Sequence, residues 1–131
     1  MIFVDTSAWF ASVVPSDPDY QAVSIWMRQN TEDLLTTDYI VDETLTLLRA
    51  RKETARSLAM GQAFFSGQLG TLYFLTEADI QLTWQVFSQF SDKEWSFTDC
   101  SSKVIIEKLQ ISKALSLDNH FRQFGSIIVV P

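Results

Sequence analysis

Short apolar runs alternate with amphipathic stretches along the whole chain. Ile2 to Val4 is a continuous apolar triplet, followed by a helical pattern from Ser7 to Val14 that Pro15 stops. Ser16-Asp17-Pro18 carries turn chemistry, and Asp19 to Asn30 repeats apolar residues at helical spacing through Ala22, Val23, Trp26 and Met27. A weak strand, Leu34 to Thr36, leads into a strong helical pattern from Tyr39 to Arg51. A further helix, Thr54 to Phe65, ends before Gly67 and Gly70. Leu72 to Leu75 predicts a strand, and Glu77 to Phe90 a helix opened by a Thr76 cap. Thr98 to Leu109 predicts another helix, Ala114 to Leu117 a strand and Ile127 to Val130 the final strand.

The resulting order is β-α-α-β-α-α-β-α-α-β-α-β. Its strands are short and apolar without alternation, as strands covered on both faces are. The expected fold is therefore α/β, a three-layer α/β/α sandwich around a mostly parallel sheet. No repeat, low-complexity tract or linker interrupts the pattern, so residues 1–131 are expected to form one domain. A hydrophobic content of 47% supports a packed core that needs no staples.

Composition excludes several classes. The single cysteine, Cys100, cannot form an intramolecular disulfide. No basic segment precedes the first apolar run, which Asp5 interrupts, so nothing reads as a signal peptide. No apolar stretch approaches the ~18–20 residues that span a bilayer. These features lead to the expectation of a soluble cytoplasmic domain with no membrane partner. The net charge of −6 argues against a general nucleic-acid binder, although cations held by carboxylates would offset part of it. Arg49, Arg51, Lys52 and Arg56 lie close together. They read either as a solvated helix end, where cations favour the macrodipole, or as a phosphate- or partner-binding patch.

Four acids carry the candidate chemistry. Asp5 ends the first apolar run and Asp118 ends the run from Ala114 to Leu117. Asp99 follows Ser96-Phe97-Thr98 at the opening of a helix, and Glu43 lies one turn into another. In a parallel sheet, strand C-terminal ends and the following helix N-termini meet at one edge, so these carboxylates can share a site. Carboxylates without a cysteine or histidine set are the ligand chemistry of Mg²⁺ or Mn²⁺. That combination points to metal-assisted phosphodiester hydrolysis.

Each acid also has a plainer reading. Asp5 in Asp-Thr-Ser is a good helix N-cap, and Asp118 can start a short helix containing Phe121 and Phe124. Asp99 sits where a helix start capped by Thr98 favours negative charge anyway. Glu43 is different. On a wheel of about 100° per residue it falls between Tyr39 and Leu47, within the apolar arc, whereas Asp42 lies on the polar side with Arg49. An acid on a packing face needs a partner, a proton or a metal.

The hydroxyls of Thr6, Ser7, Thr98 and Ser102 fit a role in orienting ligating carboxylates, with helix capping as the competing reading. Lys103, four residues after Asp99, reads as a charge balance, a phosphate contact or a solvated lysine. His120, the only histidine, is expected at the surface, with a substrate contact as the competing reading, and Cys100 reads as a small buried residue. Trp9, Trp26, Trp84 and Trp95 are expected to pack in the core or at an interface.

Read together, these segments resemble the PIN domain family, and most closely its small bacterial toxins of the VapC type. The resemblance covers essentially the whole chain. It runs from the Val4-Asp5-Thr6-Ser7 opening through Glu43 and Trp95-Ser96-Phe97-Thr98-Asp99-Cys100. It ends in Ala114-Leu115-Ser116-Leu117-Asp118-Asn119-His120-Phe121 before Gly125. It implies that Asp5, Glu43, Asp99 and Asp118 hold one or two Mg²⁺ or Mn²⁺ ions in a catalytic centre. It implies RNA cleavage by a metal-activated water attacking the phosphate in line. Arg49, Arg51, Lys52 and Lys103 are then the candidate substrate contacts. An antitoxin partner and a homodimer are implied too. The helices bearing Trp9, Phe10, Trp26 and Met27, or those around Leu45 and Phe64, are available for such interfaces unless the core claims them.

Three rivals stand beside this reading. An aspartyl phosphotransferase normally wants a second acid two residues after the first, and position 7 is Ser. A dinucleotide-binding domain would show Gly-x-Gly-x-x-Gly after the first strand, which is absent. A non-catalytic PIN-like scaffold binding RNA or protein differs from the enzyme only in turnover.

Overall fold

A computed structural model describes residues 1–131. The chain runs β1 (Ile2–Val4), α1 (Thr6–Val13), α2 (Tyr20–Gln29), β2 (Leu34–Thr37), α3 (Asp38–Ala50) and α4 (Thr54–Phe65). It continues β3 (Thr71–Tyr73), α5 (Glu77–Gln89), α6 (Phe97–Lys108) and β4 (Lys113–Leu115). A short 3-10 helix (Asn119–Gln123) and β5 (Ile128–Val130) complete it. Element order matches the expectation, and the sheet is parallel at every pairing.

The strand order is β3-β2-β1-β4-β5, so the first strand made is the middle one. The chain moves outward from β1 to β3, then returns across the sheet to β4. Parallel crossovers are right-handed, so this reversal puts α1–α4 on one face and α5–α6 on the other. Packing agrees: α1 meets α2 and α3, α3 meets α4, and α5 pairs with α6. The layers are those of the expected sandwich. A reversal of this kind also opens a crevice at the carboxyl ends of β1 and β4.

Burial follows position in the sheet. Ile2, Phe3 and Val4 of β1 are wholly buried, whereas the edge strands β3 and β5 are partly exposed. Trp9 packs edge-on against Phe64 at 5.2 Å and donates its indole N–H to Thr36 Oγ1 at 3.2 Å, tying α1 to α4 and β2. Gly70 is required where it stands: its φ is +137°, and an added Cβ would lie 2.4 Å from the Leu34 carbonyl oxygen. No helix is long and apolar enough to cross a membrane.

One cap differs from expectation. Helix α6 starts at Phe97, and its cap is Ser96 rather than Thr98. Ser96 Oγ accepts from the Asp99 N–H while Asp99 Oδ2 accepts from the Ser96 N–H, each at 3.0 Å. The Ser96-x-x-Asp99 spacing, a capping box, was the available signal.

Candidate active site

Asp5 leaves β1 and Asp118 follows β4, so the two flank the crevice at the sheet's reversal. Asp99 arrives from the first turn of α6 and Glu43 from the second turn of α3. All four line one cleft of about 400 Å³, with Thr6, Ser7, Leu47, Glu94, Ser96 and His120. Its chemistry is almost entirely polar. The spacing of the four acids in sequence therefore does converge in space.

Asp5 occupies the N-cap position of α1 yet makes no capping hydrogen bond, so the capping reading of this residue is corrected. Its Oδ2 instead accepts from Ser7 Oγ at 2.8 Å and Ser116 Oγ at 3.1 Å. Those serines are fixed in turn: Leu117 N–H donates to Ser7 Oγ at 2.9 Å, and Asp118 N–H donates to Ser116 Oγ at 3.0 Å. Asp118 does cap the 3-10 helix, its Oδ1 accepting from the His120 N–H at 3.0 Å. The His120 ring turns back over the cleft, with Nδ1 2.9 Å from Asp99 Oδ2 and 3.4 Å from Asp118 Oδ1.

A pattern runs through these contacts. In Asp5, Asp99 and Asp118, one carboxylate oxygen takes every protein hydrogen bond and the other takes none. Each aspartate is thus aimed by one oxygen and left with the second for another ligand. Thr6 Oγ1 is buried beside them without a hydrogen-bond partner. Carboxylate oxygens with a single imidazole suit a hard divalent cation, and donor atoms of Asp99, Asp118 and His120 lie within 4.8 Å of one another. The residues present fit Mg²⁺ or Mn²⁺.

Electrostatics point the same way. Burial pushes the Asp5 carboxyl up to about 6, the Ser7 and Ser116 hydroxyls oppose that, and the charges of Asp99 and Glu43 add to it. Burial also raises Glu43, and the charges of Asp99, Asp118 and Asp42 raise it further. The nearby Thr6 hydroxyl pulls Glu43 the other way. Crowded carboxylates of this kind favour a cation as their neutraliser.

Several expected residues stand elsewhere. Ser7 does orient Asp5, but Ser102 Oγ donates to the Thr98 carbonyl, and no hydrogen bond joins Thr98 or Ser102 to an acid. Both serve α6 itself, because a serine inside a helix finds the carbonyl one turn back. Lys103 pairs with Glu107 and lies over Phe90, on the flank of α6. Arg49, Arg51 and Lys52 sit at the exposed C-terminal end of α3, and Arg51 covers Phe10. None of these basic residues lines the cleft. His120, Ser116 and Glu94 do border it or hold its acids, and sequence reading did not assign them there. His120 had no visible partner, because Asp99 lies 21 positions away.

No protein-family model matches the chain. Among curated proteins it is 26% identical over 131 residues to the 23S rRNA-specific endonuclease VapC20 of Mycobacterium tuberculosis, covering 100% of this chain and 99% of that one. It is 34% identical over 88 residues to a VapC ribonuclease of Archaeoglobus fulgidus, covering 67% of this chain and 55% of the relative. The crystal structure of Mycobacterium tuberculosis VapC20, described as a sarcin-ricin loop cleaving toxin, superposes with a TM-score of 0.91 at 24% identity over the full length of both chains. FitAcB from Neisseria gonorrhoeae shares the fold at a TM-score of 0.73 and 14% identity, over 100% of this chain and 97% of that one.

Proposed function

From the premise that this chain is a PIN domain of the VapC type, we propose that it is a metal-dependent endoribonuclease, the toxin of a toxin–antitoxin pair. The observation that carries the reading is the shared posture of Asp5, Asp99 and Asp118, each with one oxygen tied down and one left unbonded. Asp5 and Asp99 are assigned as principal metal ligands, with Glu43 and Asp118 completing the set. A bound Mg²⁺ or Mn²⁺ would lower the pKa of water and stabilise charge on the scissile phosphate.

The chain's own residues perform the rest. Ser7 and Ser116 hold the Asp5 carboxylate in one rotamer. The Ser96 N–H does the same for Asp99. Burial raises the Asp5 carboxyl to about 6, so a proton competes with the cation for it only as pH falls toward that value.

The substrate we assign is RNA, and the first to test is the ribosomal loop cut by the full-length Mycobacterium relative. For the antitoxin we assign the apolar groove between α1, α2 and α4, walled by Trp9, Val13, Met27, Met60 and Leu69. A second copy of the chain is assigned to α5, where exposed Ile80, Trp84 and Phe87 share one helix face and the Trp84 and Phe87 rings stack at 6.1 Å. The scaffold reading has no observation favouring it, since all four acids are intact at one cleft.

The test is cleavage of large-subunit ribosomal RNA by purified, antitoxin-free protein with Mg²⁺, Mn²⁺ or chelator, beside Asp5→Asn. Discrete metal-dependent fragments that vanish in the variant are expected. Cleavage that persists at full rate in chelator or in Asp5→Asn would overturn the assignment.

A further inference from the structure

His120 links Asp99 and Asp118, two acids delivered by different elements: its ring Nδ1 hydrogen-bonds Asp99 Oδ2 and lies 3.4 Å from Asp118 Oδ1, which accepts from its backbone N–H. Both of its neighbours are carboxylate oxygens, so Nδ1 carries the proton and donates it. The short helix that carries the ring is anchored as well. Phe121, next in the chain, is wholly buried against Phe3 at 6.1 Å and Phe124 at 4.8 Å. Gln123 Oε1 accepts from the Trp95 indole N–H at 2.7 Å, pinning the same short helix to the segment that leads into Asp99. The Asp118 side chain accepts from the His120 backbone, which closes the loop. The short helix that carries His120 is therefore anchored by packing, and its ring meets both acids without an ion.

Resting on the metal-site reading above, we infer that His120 is a positioning residue that keeps Asp99 and Asp118 at the spacing of two ligands on one cation. Adjacent oxygens around an octahedral ion with bonds of about 2.1 Å lie about 3 Å apart. Two like-charged carboxylates would otherwise relax away from each other in the metal-free protein. One N–H between them removes part of that repulsion and leaves Asp99 Oδ1 and Asp118 Oδ2 without a protein partner. Direct ligation by Nδ1 would require it to lose its proton and Asp99 its hydrogen bond.

The experiment measures Mn²⁺ affinity by electron paramagnetic resonance on metal-stripped protein, together with RNA cleavage. His120→Ala and His120→Phe, the latter keeping a ring without a donor, are expected to weaken Mn²⁺ binding about 10- to 100-fold. His120→Asn, whose amide can donate from nearly the Nδ1 position, is expected to recover most of that loss. Pulsed spectra of the wild-type Mn²⁺ complex should lack the coupling of a directly bound nitrogen. Unchanged affinity in His120→Phe would overturn the inference, and so would strong coupling to imidazole nitrogen. Wild-type protein that shows this affinity ranking but cuts no RNA supports the positioning role and overturns the ribonuclease reading. Wild-type protein that cuts RNA while the His120 variants bind Mn²⁺ normally does the reverse.

Discussion

Ser116 stands 111 positions after Asp5, yet its hydroxyl donates to Asp5 Oδ2 at 3.1 Å while accepting the Asp118 N–H at 3.0 Å. One side chain thereby sets the orientation of the first acid and the backbone direction of the last. Ser116→Ala leaves the Asp118 N–H unpaired and removes a bond that holds the Asp5 carboxyl down. The expected outcome is a loss of about 10- to 100-fold in cation affinity, measured by calorimetry with Mn²⁺. The acidic limb of the pH–rate profile should also move to higher pH.

Asp99→Asn tests the centre more severely. The amide can still accept from Ser96 and His120, so the fold should survive, with a melting temperature close to wild type. Cleavage should fall by at least about 100-fold, because with the amide oxygen held by Ser96 and His120 the position facing the cation is an NH2 group, which does not ligate a hard cation. Near-wild-type turnover in a single-turnover assay would remove Asp99 from the ligand set.

The raised Asp5 carboxyl has a thermodynamic signature. Its value of about 6 lies above the ~3.9 of an unfolded aspartate, so the folded state binds this proton more tightly. Without cations, its contribution to stability therefore grows as pH falls from about 6 toward about 4. Asp5→Asn should abolish that trend and melt above wild type at pH 7 in chelator. Cation-dependent cleavage should run oppositely, declining below pH of about 6 as the ligand takes up its proton.

A second buried acid, Asp79, has the contrary sign. Burial alone would raise it, but hydrogen bonds from Lys108 at 2.8 Å, Tyr73 at 2.7 Å and the Thr76 N–H at 3.0 Å hold it well below the usual range. Its contribution is complete above the unfolded value and is lost as pH falls through the folded one. Asp79→Ala removes a cap and strands its partners, at a cost of about 2–4 kcal/mol in urea unfolding. Since Asp79 lies outside the cleft, cleavage per folded molecule should not change.

Much of this was legible in the chain. The apolar triplet Ile2 to Val4 and the run Ala114 to Leu117, flanked by helical periodicity, place β1 and, shifted from Lys113–Leu115 by a residue or two, β4, with the acids after them. Glu43 was legible because it breaks an apolar arc. The strand order was not, since short apolar strands carry no mark of their neighbours. His120 and Ser116 were missed for the same reason: their partners are distant in sequence, and a lone histidine or strand serine has no local signature. Thr98 and Ser102 lie close to an acid in sequence, but the Ser102 hydroxyl donates to the Thr98 carbonyl of its own helix and no hydrogen bond joins either to an acid.

The position of β1 in the sheet has one consequence for timing. It is made first, but it gains its β4 neighbour, and Asp5 gains its Ser116 partner, only when the last quarter of the chain is available. Chains grow at about 5–20 residues per second, so the early helices can form well before the acids meet. A nascent chain still lacking β4 carries no assembled cluster, and any cutting by this molecule must wait until the stretch from β4 through Asp118 has been made and folded.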